Sequence, residues 1–347
     1  MAAHRLALAL VLFTISFVPS SGADDEFTEG LEGLRQVQVS LDSADHYYWL
    51  IVEHGRIVLN KACGPLEANC DHNVFAIWDE EGHKIFEQAP LLDIENSTDG
   101  HAFASALREP DRLMVSTVIT KNDGYEWILA EYDVDSGDVL RLHHIVPVRC
   151  LNMKGDRKGN LWCLGDDVDR RREQLDHNLV YRYDASGELI SQTLPRSFFG
   201  GDPKALSDCV RQSAPGGFLR GDGPVRLWIP TTGELFSFDK DGAVGDHFVT
   251  PTIDNLERTR MVSAPDGHVY AMLSTATDPK DSDTWRKGLY RLADDTSAWE
   301  PLAGIAEEIP MRFTLAGADD NGLVLLDRRS LTLFWWPVSE GAVRQPD

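Results

Sequence analysis

After its first eighteen residues the 347-residue chain has no apolar run long enough to cross a membrane, and helical periodicity is weak throughout. These absences point away from membrane-spanning and helix-bundle classes. Basic charge is scarce: 33 Lys and Arg stand against 56 Asp and Glu, a formal net charge of −23. A surface this acidic repels phosphate backbones, so nucleic acid and anionic membranes are not expected partners. The five cysteines, Cys63, Cys70, Cys150, Cys163 and Cys209, contain no C-x₂₋₄-C pair, which argues against a structural zinc centre. Also missing are a G-x-S-x-G elbow, an H-E-x-x-H helix, a phosphate-binding P-loop and a G-x-G-x-x-G turn. The corresponding hydrolase, zinc-protease, NTPase and dinucleotide chemistries have no motif to rest on. No sialidase-type S-x-D-x-G-x-x-W box occurs, and no cofactor is expected.

What is present begins with a leader. Met1 to Arg5 is a short basic start, Leu6 to Val18 is apolar, and Ser21 and Ala23 are small residues before Asp24. That layout is a secretory signal peptide over 1–23, too short for a span, with a linker over 24–34. A retained membrane anchor is the alternative. The mature chain is then expected to be secreted or periplasmic, where disulfides form. Cys63 and Cys70 close the short loop CGPLEANC. Cys150 and Cys163 flank a hairpin turn, GDRKG, and should face each other on paired strands, leaving Cys209 over. Asn96-Ser-Thr fits a glycosylation acceptor, relevant only in a eukaryotic host.

Two series of turns recur along the remainder. One joins an aromatic-Asp pair to Gly: IWDEEG (77–82), EYDVDSG (131–137), RYDASG (182–187), SFDKDG (237–242) and a degenerate WPVSEG (336–341). The other lies upstream in each unit: EHGRIVL (53–59), EPDRLMVS (109–116), DRKGNLWCL (156–164), APGGFLRG (214–221), APDGHVYAML (264–273) and DDNGLVLL (319–326). Short strands rich in Leu, Val, Trp and Tyr adjoin them, as half-buried β-structure requires. Two cornered hairpins per repeat of about fifty residues predict four-stranded antiparallel blades of a propeller. The units fall at 45–92, 101–146, 149–195, 207–250, 258–302 and 311–341. The expected fold is therefore all-β, a single six-bladed β-propeller over 35–347. The extra strand RQVQVSL (35–41) should close the last blade.

GDRKGNLWCL followed by NLVYRYDASGELI resembles the repeat of NHL and TolB-like six-bladed propellers. There, a D-x-G-N-hydrophobic-aromatic strand precedes one that ends in an aromatic-Asp-x-x-Gly turn. The resemblance implies a fold and no activity.

Strand parity divides the ring into two faces. Turns after the first and third strands of each blade share one end and are tight. The other connections are long and irregular, including 88–100, 165–178, 194–208 and 274–288, and long loops on a rigid scaffold are where binding usually resides. The residues entering the innermost strands at that end are Asp45, His46, His101, Arg149, Asp208, Arg258, Arg260 and Arg312. Converging arginines could hold a carboxylate, sulfate or phosphate bidentately; inter-blade Arg–Asp pairs are the structural alternative. Phe198, Phe199, Trp285 and Arg170 to Arg172 could rim a partner site or merely pack. DVDSGD (133–138) lacks the Glu that an EF-hand loop needs at position twelve, where His144 stands, so it reads as a turn. Of the neighbours His143 and His144, one should pack and the other face solvent.

These residues support a binding or interaction module taking a protein segment or small anionic ligand. A metal-assisted hydrolase or lactonase at the axial mouth is the alternative. Regucalcin-type lactonases share six blades but hold an axial divalent ion with acidic and Asn groups, which the arginines here would repel. A purely structural envelope protein is a third reading.

Overall fold

The structure, a computed structural model, describes residues 27–40, 48–61, 74–88, 97–122, 124–145, 147–169, 175–199, 217–229, 232–239, 241–251, 256–278, 280–281, 285–293, 298–302 and 308–338. Beside an initial strand, β1 (Arg35–Gln38), the described residues form consecutive sets of four antiparallel strands. The first set is β2 (Tyr48–Glu53), β3 (Arg56–Lys61), β4 (Val74–Trp78) and β5 (Lys84–Gln88). The second is β6 (Ser97–Glu109), β7 (Arg112–Lys121), β8 (Gly124–Asp133) and β9 (Val139–His144). The third comprises β10 (Val148–Gly155), β11 (Leu161–Asp167), β12 (Asn178–Tyr183) and β13 (Leu189–Pro195). Next come β14 (Gly217–Phe218), β15 (Arg226–Ile229), β16 (Glu234–Phe238) and β17 (Val244–Val249). The fifth holds β18 (Leu256–Ser263), β19 (Val269–Ala276), β20 (Trp285–Leu292) and β21 (Trp299–Pro301). In the last, β22 (Phe313–Asp319), β23 (Gly322–Asp327) and β24 (Thr332–Trp336) are joined by β1, which pairs antiparallel with β24 from Arg35↔Trp335 to Gln38↔Thr332. The strand expected at 35–41 thus adds to the outer edge of the C-terminal set.

Burial follows this order. The middle strands are apolar on both faces, β11 being buried from Leu161 through Asp166, whereas the outer strands β9 and β17 are largely exposed. A strand buried on both faces must have a neighbour on each. Those neighbours are the sheets before and after it. Phe75, Ile77 and Val58 of the first set pack on Leu113, Val115 and Tyr132 of the second. Met114 and Leu129 of the second meet Met153, Cys163 and Tyr181 of the third. Trp162 and Val180 then meet Leu227 and Phe236, and Trp228 and Leu235 meet Ala271 and Leu273. Tyr270 and Met272 meet Phe313 and Leu323, with Phe27 and Leu31 from the N-terminal segment added to that layer. The circuit closes where Val324, Leu326 and Trp335 pack on Val52, Ile57 and Trp78. A single parallel bridge, Val52↔Gly317, ties β2 to β22 at the same junction.

The turns follow from Asp and Gly chemistry. Asp184 Oδ1 accepts the backbone N–H of Ser186 and Glu188, and Asp239 repeats the pattern with Asp241 and Ala243. Asp133 likewise takes the N–H of Asp135 and Ser136, as the turn reading of DVDSGD requires. The Ser186 hydroxyl first, and then the Glu188 amide, hold the Asp184 carboxyl below its ordinary range. At the two-residue hairpin between β2 and β3, His54 and Gly55 both have positive φ (52° and 68°), the geometry that matches strand twist.

In the fourth unit the structure departs from the sequence reading. The hairpin after the first strand is not at APGG but at 219–225, between β14 and β15. Gly221-Asp222-Gly223-Pro224 supplies the turn signal there, and Phe218 to Arg220 lie before it rather than after.

Candidate functional site

That displaced turn organises one end of the molecule. The Asp222 amide donates to the Ala318 carbonyl of β22, and the Gly223 amide to the Ser263 carbonyl of β18. Arg220 forms a parallel bridge with Val262, and its Nη1 donates to the Met153 carbonyl of β10 at 2.7 Å. The His54 amide, after β2, donates to Asp222 Oδ1 at 2.8 Å. Residues 219–223 therefore tie together the first strands of four other sets and lie across their common end. Glycine is required by crowding: a Cβ on Gly221 would fall 2.7 Å from the Ser263 carbonyl oxygen and 2.8 Å from that of Ala318.

The charges beneath this connection are buried. Lys154 is 2% exposed, and its Nζ donates to the carbonyls of Leu219 and Gly221, both at 2.8 Å. Burial pushes its ammonium down to about 8, against the opposing charge of Glu53. Burial also lowers Arg220 from its ordinary value, again with Glu53 opposing. Glu53 is itself 2% exposed. None of these three was singled out from sequence, because a lone charged residue at a strand end has no pattern to mark it.

The residues expected at the opposite end are only partly brought together. Asp45, His46 and Asp208 lie outside the described residues, as do the side chains of His101 and Arg258. Arg149 makes a bidentate pair with Asp166, Nε to Oδ1 and Nη2 to Oδ2 at 2.9 Å each, and its guanidinium lies over Trp127. Arg312 pairs with Asp327 at 3.3 Å and donates to the Thr28 hydroxyl. Both Arg–Asp pairs run within one sheet, Arg149 being the direct cross-strand partner of Asp166, rather than between blades. Arg260 is half-buried on β18. Cross-strand geometry thus uses carboxylates one strand away to satisfy these arginines before any axial ligand does.

Of the expected rim, Phe198 is 46% exposed and meets Phe236 and His247 edge-on. Arg170 to Arg172 and the Phe199 side chain lie outside the described residues. His143 is half-buried with Nε2 3.6 Å from Glu131 Oε2, while His144 is exposed and pairs with Glu126, so the neighbours divide as strand alternation requires. Cys150 and Cys163 form a disulfide on β10 and β11. They are not direct cross-strand partners: a bulge between Cys150 and Asn152 sets Cys150 against Gly165 and Cys163 against Met153. Cys63, Cys70 and Cys209 lie outside the described residues.

Among the described residues, Asp79, Glu81 and His83 place one ligand atom each within 4.8 Å, the geometry for a cation. Their fit is poor, since Asp79 Oδ1 already accepts the Glu81 and His83 amides and Oδ2 pairs with the His83 ring.

No protein-family model matches the chain, and none of the curated proteins does. The NHL/TolB-like resemblance therefore rests on the repeat motifs alone. Among solved structures, a member of the DUF4221 family from Bacteroides vulgatus is similar at 10% identity and a TM-score of 0.44, over 86% of this chain and 94% of that one. A luciferin-regenerating enzyme is similar at 10% identity and 0.44, over 90% and 97%. The Cps50 β-propeller domain of Myceliophteria thermophila follows at 8% and 0.41, over 88% and 100%. Likenesses this distant carry no activity to this chain.

Proposed function

We propose that the chain is an exported, six-bladed β-propeller acting as a binding module, with its ligand taken at the axial mouth and the face of long connections. The observation that carries this reading is the asymmetry of the two ends. At one end the connections are short (54–55, 110–111, 156–160, 264–268 and 320–321), and 219–225 lies across the axis. At the other, six run over 62–73, 89–96, 168–177, 196–216, 277–284 and 302–312, beside shorter ones at 122–123, 145–147, 230–233, 250–255 and 328–331. An end closed by backbone hydrogen bonds leaves the opposite mouth as the way in, and long connections are where recognition surfaces are built. The six layers of apolar contact, each shared by successive sheets and the last returning to the first, support the six-bladed count.

Titration calorimetry with acetate and sulfate tests the reading. Arg260→Ala is expected to weaken anion binding while the far-ultraviolet spectrum and melting temperature stay close to wild type. Equal binding by wild type and Arg260→Ala, or none by either, would remove the axial mouth as an anion site.

A further inference from the structure

The outer half of the fifth sheet carries a cavity away from the axis. Cross-strand pairing sets Leu273 against Gly288, Thr275 against Arg286 and Leu292 against Trp299, so these side chains and that of Tyr290 stand on one face of β19, β20 and β21. That face is turned to the fourth sheet, where Leu273 and Leu292 join Trp228 and Leu235 in a buried layer and Tyr290 and Trp299 pack on its margin. Beside the layer lies a cavity of about 150 Å³ bordered by Leu273, Thr275, Arg286, Gly288, Tyr290 and Trp299. Lys287 also borders it, but its ammonium is spent on the opposite face, on the Met311 and Phe313 carbonyls.

Gly288 shapes one wall. Its φ lies outside the left-handed region, so the backbone does not require glycine there. A Cβ would instead fall 2.8 Å from Cε2 and 2.9 Å from the hydroxyl of Tyr290. The phenol ring therefore lies back along β20 over Gly288, with its hydroxyl toward Arg286. Trp299 is held by its Nε1, which donates to the Pro251 carbonyl at 3.3 Å.

The polar groups of the cavity narrow what fills it. Among the described residues neither the Thr275 nor the Tyr290 hydroxyl has a hydrogen-bond partner, and both residues are half-buried. Arg286 is already paired, Nε to Glu308 Oε1 at 2.7 Å, and Arg291 and Glu300 pair with each other on the opposite face of the sheet. An anion drawn to Arg286 is repelled by Glu308, and a cation over the rings is repelled by Arg286. A wholly apolar ligand would strip water from two hydroxyls and return no hydrogen bond. A neutral ring with C–H groups on one side and hydroxyls at its edge matches both the aromatic walls and the polar groups. A cavity of this volume holds one six-membered ring.

We propose that this cavity binds a single neutral pyranose, its C–H groups against Tyr290 and Trp299 and its hydroxyls bonded to Thr275, the Tyr290 hydroxyl and the Arg286–Glu308 pair. Thr275 and Arg286 flank the connection at 277–284, so the sugar site lies on the long-connection face but on outer strands. It does not depend on anion binding at the axial mouth.

The test is saturation-transfer NMR of the full-length protein with the methyl glycosides of glucose, galactose, mannose and N-acetylglucosamine at millimolar concentration, followed by calorimetry on those that bind. Cyclohexanol, a ring with one hydroxyl, and glycerol, hydroxyls without a ring, serve as controls. At least one glycoside should bind with unit stoichiometry while neither control does. Gly288→Ala, which displaces the Tyr290 ring, and Tyr290→Phe, which removes one hydroxyl, should each weaken it about threefold to tenfold. Arg260→Ala should leave sugar affinity unchanged. Should Gly288→Ala fail to fold, the conservative Tyr290→Phe decides alone. Unchanged affinity in a folded variant of either kind overturns the proposal, as does sugar binding that is lost in Arg260→Ala or a screen in which no glycoside binds. Such a failure leaves the acetate and sulfate test of the axial mouth as it stands, because that test reads a different ligand and a different arginine.

Discussion

The Nζ of Lys154 lies 2.8 Å from the Gly221 carbonyl, reaching from the third sheet into the connection of the fourth, and is buried there with Leu219 as its second acceptor. A cation satisfied by two carbonyls, rather than by a carboxylate, joins two sheets without needing an acid in register. Lys287 repeats the device between the fifth and sixth sets, donating to the Met311 and Phe313 carbonyls.

Replacing Lys154 by Met removes both donors and leaves two buried carbonyls unpaired, an expected loss of about 2–4 kcal/mol. The urea midpoint measures it. The pH dependence has a definite sign. With the folded value near 8 and the ordinary value 10.5, the unfolded chain binds more protons in that window. The cost of burying the ammonium is therefore complete below pH 8 and is relieved as pH rises toward 10.5. Tyr132, pushed up to about 12 by burial, acts oppositely above its ordinary value of 10. The difference between wild type and Lys154→Met isolates the lysine, and it should widen from neutral pH to about pH 9.5.

Gly221 and Gly267 have similar φ, +96° and +91°, but different surroundings. Nothing lies within 4 Å of a Cβ added at Gly267, whereas at Gly221 it meets two backbone oxygens. Gly267→Ala should cost about 1–2 kcal/mol from backbone conformation alone. Gly221→Ala should cost at least about twice that, because backbone must also move. Equal losses in thermal denaturation would mean that residues 219–223 are not held against β18 and β22.

How much of this was legible in sequence depended on whether a feature repeats. Asp184 and Asp239 occur in the same local setting, so their turns could be read and the sheets counted between them. The disulfide of Cys150 and Cys163 was legible from its turn, but the bulge beside Cys150 was not, since a bulge changes register without a residue type of its own. The connection at 219–225 breaks the repeat, and its Gly-Asp-Gly-Pro was obscured by the Pro-Gly-Gly just upstream. Arg149 and Arg312 stood at the expected strand entrances, yet their partners Asp166 and Asp327 come from the adjacent strand, a pairing that depends on register.

Arg108 and Glu131 form the other charged pair of consequence, 6% and 3% exposed at 2.8 Å, with Arg108 also donating to the Ala185 carbonyl of the third sheet's turn. Arg108→Leu leaves the carboxylate buried with the longer 3.7 Å contact to Arg112 and the His143 ring at 3.6 Å. An expected loss of about 3–5 kcal/mol follows. Glu131→Gln combined with Arg108→Leu should recover part of it, read as a coupling energy in a double-mutant cycle.

The Cys150–Cys163 bridge closes a sequence separation of 13 residues, with both cysteines buried. Its removal in a Cys150→Ala, Cys163→Ala variant should cost about 2–3 kcal/mol on a loop-entropy argument. In the native wild type the bond should resist reductant until the chain unfolds. Thiol labelling with and without denaturant distinguishes the two conditions.

The claim on which the functional reading turns is that residues 219–223 close one end of the axis. Hydrogen–deuterium exchange resolved to single amides measures this directly. The Asp222 and Gly223 amides, bonded to Ala318 and Ser263, should exchange as slowly as the middle of β11 and far more slowly than the exposed turn at Ala185 and Ser186. Exchange of Asp222 and Gly223 as fast as that turn would contradict the closed end, and with it the assignment of the opposite mouth as the route to the site.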